Sequence, residues 1–296
     1  MSKKDWYTPF SWLTIVAVYT MALVINPLTH QTSTLVFLLP LPLALWHGVR
    51  RYGGKGMTIF VVVTLVLSNM WEALSIQTGF PFGHYHYTMQ PQLLGVPIVI
   101  GPSYVALGYI SWQIANTVLQ EADTRMGRWS TALLAPTIAA LSMTVYDLTN
   151  DALASTAGQR WIWEQGGAYF GVPVSNFLGW WFCTFTFYAV FALYLRRNPG
   201  SVRPETNKVP LLQFVLLYLS LGSVTVVASL TGTYATGTAT DTAGTVWQLS
   251  DMIGSSLLWV VFGMVPLALF SIVNLYRMGL PSEATSTPAT SVASHS

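Results

Sequence analysis

The chain has 296 residues, of which 52% are hydrophobic and only 8% charged, with a formal net charge of +2 and a mean hydropathy of +0.50. A soluble domain carries about 25% charged residues, so this composition excludes a protein that clothes itself in charge and points to an integral membrane protein. The small positive balance gives no sign of a nucleic-acid partner, because topology accounts for the basic residues.

Taken in chain order, apolar stretches near the roughly 20 residues that cross a bilayer predict eight spans. They fall at 10–25, 33–46, 57–75, 96–119, 131–146, 172–195, 209–230 and 252–276. The second is short and carries Pro40 and Pro42, which membrane helices tolerate when neighbours satisfy the freed backbone. Lys3 and Lys4 precede the first span, and Arg50, Arg51 and Lys55 follow the second. Arg125 and Arg128 follow the fourth, Arg196, Arg197, Arg203 and Lys208 follow the sixth, and Arg277 follows the eighth. Eight spans put all of these on one face, which the positive-inside rule makes cytoplasmic. Only Arg160 falls outside. The expectation is an all-α polytopic protein of the cytoplasmic membrane with both termini inside. Residues 1–280 form one transmembrane domain, and 281–296, rich in Ser, Thr, Ala and Pro, form a disordered tail. The first apolar run lacks a small-residue cleavage site and reads as a retained span. A single cysteine, Cys183, excludes an internal disulfide and a cysteine-rich metal site.

Two outer segments hold most of the chemistry, and the pocket they imply is built mainly by 68–181. The first runs from Glu72 through Gly79-Phe-Pro-Phe-Gly-His84-Tyr85-His86-Tyr87 to Leu94-Gly-Val-Pro97. The second runs from Asp147 and Asp151 through Trp161-Ile-Trp163-Glu164 and Tyr169 to Gly171-Val-Pro173 and Asn176. In each, a span ends in an acid, an aromatic and glycine-rich loop follows, and Gly-Val-Pro opens the next span. Glu72 precedes Gly95 by 23 positions, and Asp147 precedes Gly171 by 24. This is the pattern of a diverged internal repeat, in which two helix-loop-helix units enclose a pocket at the outer boundary. Proline at the first turn of each returning helix sacrifices no hydrogen bond.

Asp147 and Asp151, four apart, share a helix face if the fifth span continues beyond Tyr146. Two carboxyl groups in a half-dry setting disfavour double ionisation, which keeps one proton available to an apolar substrate. The residues alone leave open that both simply end a helix at the water interface. Glu72 lies deeper in its span, where a carboxylate is costly and often functional. Glu164 lies in a loop. Asp241 and Asp251 read as a loop residue and a helix-terminal acid and stay outside the site. His84 and His86, two apart, would project to one side of an extended segment. They suit orientation of an acid, a proton relay, or a mononuclear metal site with one carboxylate. Trp71, Tyr85, Tyr87, Trp161, Trp163, Tyr169, Trp180 and Trp181 crowd the same face. Interfacial aromatics form belts in most membrane proteins, but their faces also stabilise a desolvated cation.

At these residues the chain resembles the integral-membrane carotenoid hydratases, the CruF-type γ-carotene 1′-hydratases and the related bisanhydrobacterioruberin hydratases. The likeness rests on Gly79-Phe-Pro-Phe-Gly-His-Tyr-His-Tyr, Leu94-Gly-Val-Pro, Asp147-x3-Asp151, Trp161-x-Trp163, Gly167-Ala-Tyr-Phe-Gly-Val-Pro and Asn176-Phe-Leu-Gly-Trp180. It spans about 72–181. Ala152 departs from the proline that commonly follows the second aspartate. The resemblance implies a substrate that is a bilayer-dissolved carotenoid with an acyclic ψ-end. It implies addition of water across the terminal 1,2 double bond, with no cofactor and no metal, and other carotenoid-pathway enzymes as partners. Chemistry then assigns proton donation to Asp147 or Asp151, the base to Glu72 or the second aspartate, and tuning or proton supply to His84 and His86. Tyr85, Tyr87, Trp161, Trp163, Glu164, Tyr169, Asn176 and Trp180 would contact the substrate. A transporter of a small amphiphile or isoprenoid, and a proton-initiated prenyl cyclase, are the alternatives on the same scaffold.

Overall fold

The computed structural model describes residues 6–29, 35–232 and 236–279. Lys3, Lys4, the beginning of the second expected span at Ser33 and the tail 281–296 lie outside the described residues. Among those described, six helices are long and apolar enough to cross a membrane. They are α1 (Tyr7–Leu28), α3 (Leu41–Thr78), α5 (Trp129–Ala157), α6 (Val174–Arg197), α7 (Val209–Thr231) and α8 (Leu249–Met278). A short helix, α2 (Leu35–Leu38), precedes α3, and α4 (Ile100–Val118) lies between α3 and α5. The outward sides of α1, α5 and α8 expose Leu13, Val16, Leu133, Phe262 and Phe270, surface that only a hydrocarbon environment would accommodate at this density.

Six helices meet the length and hydropathy that crossing requires, where the sequence predicts eight spans. The two that fall short have separate reasons. Helix α4 coincides with the fourth expected span but is buried along almost its whole length, with Ser103, Ser111, Gln113, Asn116 and Thr117 inside the bundle. A helix surrounded by protein does not need a uniformly apolar surface, so its mean hydropathy is lower. The second expected span is divided. A turn at Leu39-Pro40 separates α2 from α3, and α3 itself breaks at Gly53 (φ 69°, ψ 170°), inside a run of 38 residues. That backbone region is open to glycine and closed to other residues.

Three two-stranded sheets complete the fold. Strands β1 (Tyr85–Tyr87) and β4 (Trp161–Trp163) pair antiparallel, as do β2 (Gln92–Leu93) with β3 (Val96–Pro97), and β5 (Thr238–Thr240) with β6 (Val246–Gln248). The first pairing joins the two repeat segments directly. Gly171 lies 76 positions after Gly95, and the same offset relates Tyr85 to Trp161, Tyr87 to Trp163, Tyr104 to Trp180 and Trp112 to Tyr188. In the sheet, Tyr85 faces Trp163, His86 faces Ile162 and Tyr87 faces Trp161. His86 therefore meets its own counterpart, and Tyr85 and Tyr87 each meet the counterpart of the other, which is the register of a two-fold relation. The turns match as well. Leu94 and Gly95 have φ of 52° and 82°, and Phe170 and Gly171 have 51° and 86°, positive at both central positions as in a type I′ turn. Below them, Tyr104 stacks on Trp180 and Trp112 on Tyr188. The C-terminal half of α3 with α4, and α5 with α6, thus form two equivalent units around a local pseudo-two-fold axis.

At the far end of the bundle from these loops, the charges are tied together. Arg51 donates from Nε and Nη2 to the two Asp123 carboxylate oxygens at 2.6 and 2.7 Å, and the Tyr52 hydroxyl donates to Asp123 at 2.6 Å. Lys208 binds Glu121 at 2.9 Å, and His47 lies 3.1 Å from Glu205.

Candidate functional site

The two repeat loops, with β1 and β4, roof a cleft between α3, α4, α5 and α6 that contains about 760 Å³ of atom-free space, including its open mouth. Three carboxyl groups face it from two sides. Glu72 comes from the last turns of α3, Asp147 and Asp151 from the end of α5. All three are buried. Helix α5 does continue past Tyr146: regular helix runs to Ala152 and a π-helical turn, Leu153–Ala157, carries it on. The two aspartates therefore share a face as the spacing requires. Ala152 sits within this continuous segment, where a proline would remove a backbone donor.

Each acid has its own set of donors. Glu72 accepts hydrogen bonds from the hydroxyls of Tyr85, Tyr87 (3.1 Å) and Tyr104 (2.8 Å). Asp151 accepts from the indole N–H of Trp161 at 3.0 Å, that of Trp163 at 3.4 Å, and the Asn176 amide. The same amide nitrogen donates to Asp147 Oδ2 at 2.9 Å, the one side-chain donor that Asp147 receives among the described residues. Asn176 thus joins the pair. Strand alternation explains the tyrosines: Tyr85 and Tyr87 point inward while His86, between them, points out. Burial, followed by the charge of Glu72, pushes both phenols well above their ordinary pKa, so they act as donors rather than as phenolates.

Of the residues singled out in the sequence, Glu72, Tyr85, Tyr87, Asp147, Asp151, Trp161, Trp163, Asn176 and Trp180 all line the cleft. His84 precedes the strand and packs its ring against Gly79, and neither His84 nor His86 lines the cleft. His86 is exposed and lies 3.6 Å from the equally exposed Glu164. Tyr169 packs on Phe170 and Phe177 and donates to the Leu148 carbonyl at 3.1 Å, behind the site. Burial pushes its pKa up to about 12. Trp71 and Trp181 face outward against Phe182 and Phe185. Among the described residues no group of three or more His, Cys, Asp and Glu side chains could hold a metal ion. Asp241 accepts from Trp247 at 2.9 Å and organises the β5–β6 turn, and Asp251 is an exposed acid in the first turn of α8.

The sequence reading passed over several residues that the fold brings in. Phe82, Tyr104, Tyr146, Asn150 and Arg160 also line the cleft. Tyr104 had a readable signal, since it follows Gly95 by nine positions as Trp180 follows Gly171. Phe82 arrives because Gly179 leaves room. A Cβ on Gly179 would meet the Phe82 ring at 2.7 Å and the Pro81 carbonyl at 2.8 Å.

A search of curated proteins and a search of solved structures each found no match. A family model described as "carotenoid biosynthesis protein" matches residues 14–243, a stretch that includes every carboxylate and aromatic of the cleft. The chain belongs to the carotenoid biosynthesis protein family.

Proposed function

We propose that the protein is a carotenoid 1,2-hydratase, a cofactor-independent hydro-lyase that adds water to the terminal double bond of an acyclic ψ-end. The observation that carries this reading is the placing of three buried carboxyl groups with different hydrogen-bond donors, and the aromatic faces between them, around one apolar cleft. An alkene enters such a site without desolvation cost, and an acid and a base meet it from opposite sides.

Donor counts divide the roles. Hydrogen bonds to a carboxylate favour its charged form. Asp151 and Glu72 each receive three side-chain donors, which support the charged form, and we assign these two as the ionised members of the set. Asp147, beside the ionised Asp151 and with the single Asn176 contact, keeps its proton. Asp147 delivers that proton to C2, and the electron pair of the 1,2 double bond forms the new C–H bond. The tertiary cation left at C1 is stabilised by the faces of Trp180 and Tyr104, whose rings stack 5.0 Å apart. A water oxygen then bonds to C1, and Glu72 takes its proton as general base. Exchange with outer water returns one proton to Asp147 and removes one from Glu72. His84 and His86 contribute through the loop that carries Tyr85 and Tyr87, and Glu164 and Tyr169 support the roof.

The eight-crossing topology fits this chemistry, with both ends cytoplasmic and the cleft at the extracytoplasmic face. Phe37 of α2 meets Tyr146 beside the cleft, while His47 and Arg51 meet Glu205 and Asp123 at the opposite end. The segment from Phe37 to Arg51 therefore runs from the cleft end of the bundle to the opposite end. Other carotenoid-pathway enzymes are the natural partners, and membrane lipid is the medium that delivers the substrate. A transporter reading draws on the parallel repeat, but the acids at the inner end are occupied by Arg51 and Lys208. A cyclase would use the same acid and cage. Supplying lycopene or γ-carotene to membranes containing the protein separates the three: hydration adds one water, cyclisation conserves mass, and transport leaves the pigment unaltered.

A further inference from the structure

A second cavity lies beside the first, between α1, α5 and α7 at the same end of the bundle, with about 650 Å³ of atom-free space including its open mouth. Its lining differs in character. Asn26, Thr149, Ser220 and Thr225 all reach it, and each is nine-tenths or more buried. Such groups inside a bundle need hydrogen-bonding partners. The Thr149 and Ser220 hydroxyls donate to the Tyr146 and Leu217 carbonyls of their own helices at 2.6 Å. Their oxygen lone pairs remain able to accept. A roomy cavity with several polar groups holds water, whereas a purely apolar one stays dry.

Phe37, Asn150 and Arg160 line both cavities, so these three side chains form the partition. Arg160 is half-buried there, and burial lowers its pKa against the opposing effect of Tyr146. A hydratase that works on a polyene faces a specific problem: the substrate that fills the main cleft expels the water that must react. We infer that the second cavity is the water store of the reaction and feeds the C1 cation past Phe37, Asn150 and Arg160. This inference rests on the hydratase reading of the main cleft. When water arrives, its oxygen bonds to C1 and its proton passes to Glu72. When it does not, the cation loses a proton from a neighbouring carbon to a carboxylate, and an alkene re-forms.

The two fates can be counted. Membranes containing the full chain are supplied with lycopene in deuterated water, and hydrated product is measured beside deuterium in the recovered carotenoid. Ser220→Leu fills the store, and Thr225→Val removes one hydroxyl at nearly constant volume. Both should raise the ratio of exchange to hydration, by about tenfold in Ser220→Leu, the scale of losing a positioned reactant. An unchanged ratio overturns the inference, whether activity is retained or falls in proportion. If Ser220→Leu fails to insert, Thr225→Val decides alone.

A second readout does not depend on turnover. Ser220→Cys should react with a small charged methanethiosulfonate reagent while the buried native Cys183 does not. Absence of labelling would show a dry cavity and overturn the store. Labelling together with a wild-type protein that neither hydrates nor exchanges lycopene would overturn the hydratase reading, and with it the assigned use of the water.

Discussion

Tyr104 and Trp180 stack with ring centroids 5.0 Å apart and planes 18° from parallel, although they come from different helices and equivalent positions of the two repeats. The pair sits on the local pseudo-two-fold axis and forms part of the cleft wall. One member also serves an acid, because the Tyr104 hydroxyl donates to Glu72 Oε1. The two functions are separable by substitution. Tyr104→Phe keeps the stack and removes the donor, so turnover should fall about tenfold, in line with one hydrogen bond to a charged group. Trp180→Leu removes the aromatic face and should cost a comparable or larger factor, in line with a desolvated cation–π contact of about 2 kcal/mol. Initial rates of hydrated-carotenoid formation in membranes with matched protein content measure both.

The aspartate pair gives a sharper contrast. Asp147→Asn removes the proposed proton donor and should abolish turnover. Asp151→Asn leaves Asp147 without a charged neighbour and disturbs the Trp161, Trp163 and Asn176 contacts, so it should also be severely impaired. Asn176→Ala leaves both acids in place but unjoined. Its loss should be intermediate, about 10²-fold, the lower end of the contribution expected of a positioned acid. Equal activity in Asp147→Asn and wild type would remove Asp147 from the mechanism.

Stability should depend on pH through the inner end of the bundle. Burial tends to raise the pKa of Glu121 and Glu205. The Lys208 contact and Arg51 charge outweigh it at Glu121, and the His47 contact with the His47, Arg51 and Arg50 charges outweighs it at Glu205. Both therefore lie below the ordinary carboxylate value. A depressed folded-state pKa contributes stability that is complete above the unfolded value and is lost as pH falls through the folded one. The contribution of these two carboxylates to thermal unfolding in detergent should be constant above the ordinary carboxylate range and decline below it. Glu121→Gln and Glu205→Gln should each flatten that decline. An unchanged acid slope in both variants would contradict the assignment.

Gly179 tests the docking of the first loop. Its missing Cβ admits Phe82 and the Pro81 carbonyl, and the Ser175 hydroxyl donates to the Phe82 carbonyl at 2.9 Å on the same side. Gly179→Ala should displace that loop, lower the unfolding temperature and reduce activity together, because Tyr85 and Tyr87 follow directly. The backbone carbonyl cannot yield as a flexible side chain would, so overpacking on the scale of 1–3 kcal/mol is expected. Thermal unfolding beside the hydration rate checks this.

Much of the site was legible because membrane physics makes polar residues informative. A carboxylate such as Glu72 near the end of a span is costly enough to demand a reason, and the Gly-Val-Pro recurrence located both returning helices. What the sequence hid was direction and pairing. The alternation of β1 sends Tyr85 and Tyr87 to Glu72 and leaves His86 on the opposite, exposed side, and no composition rule distinguishes those faces. Tyr104 was concealed in a helix whose burial within protein lowered its hydropathy. Arg51 was read only as a topological marker and Asp123 was not singled out, because the contact that buries them joins segments far apart in the chain. The second and fourth expected spans show the same limit from the other side. Hydropathy measures exposure to lipid, and neither the interior helix α4 nor the broken segment before Gly53 has the uniform lipid face it looks for.

The most direct test of the central claim is to supply lycopene to membranes containing the protein and to analyse the pigments by liquid chromatography and mass spectrometry. The account predicts a product heavier by one water with a nearly unchanged visible spectrum, because the hydrated bond lies outside the conjugated chain, and predicts its loss in Asp147→Asn. A product of unchanged mass, or a hydrated product that persists undiminished in Asp147→Asn, would contradict it.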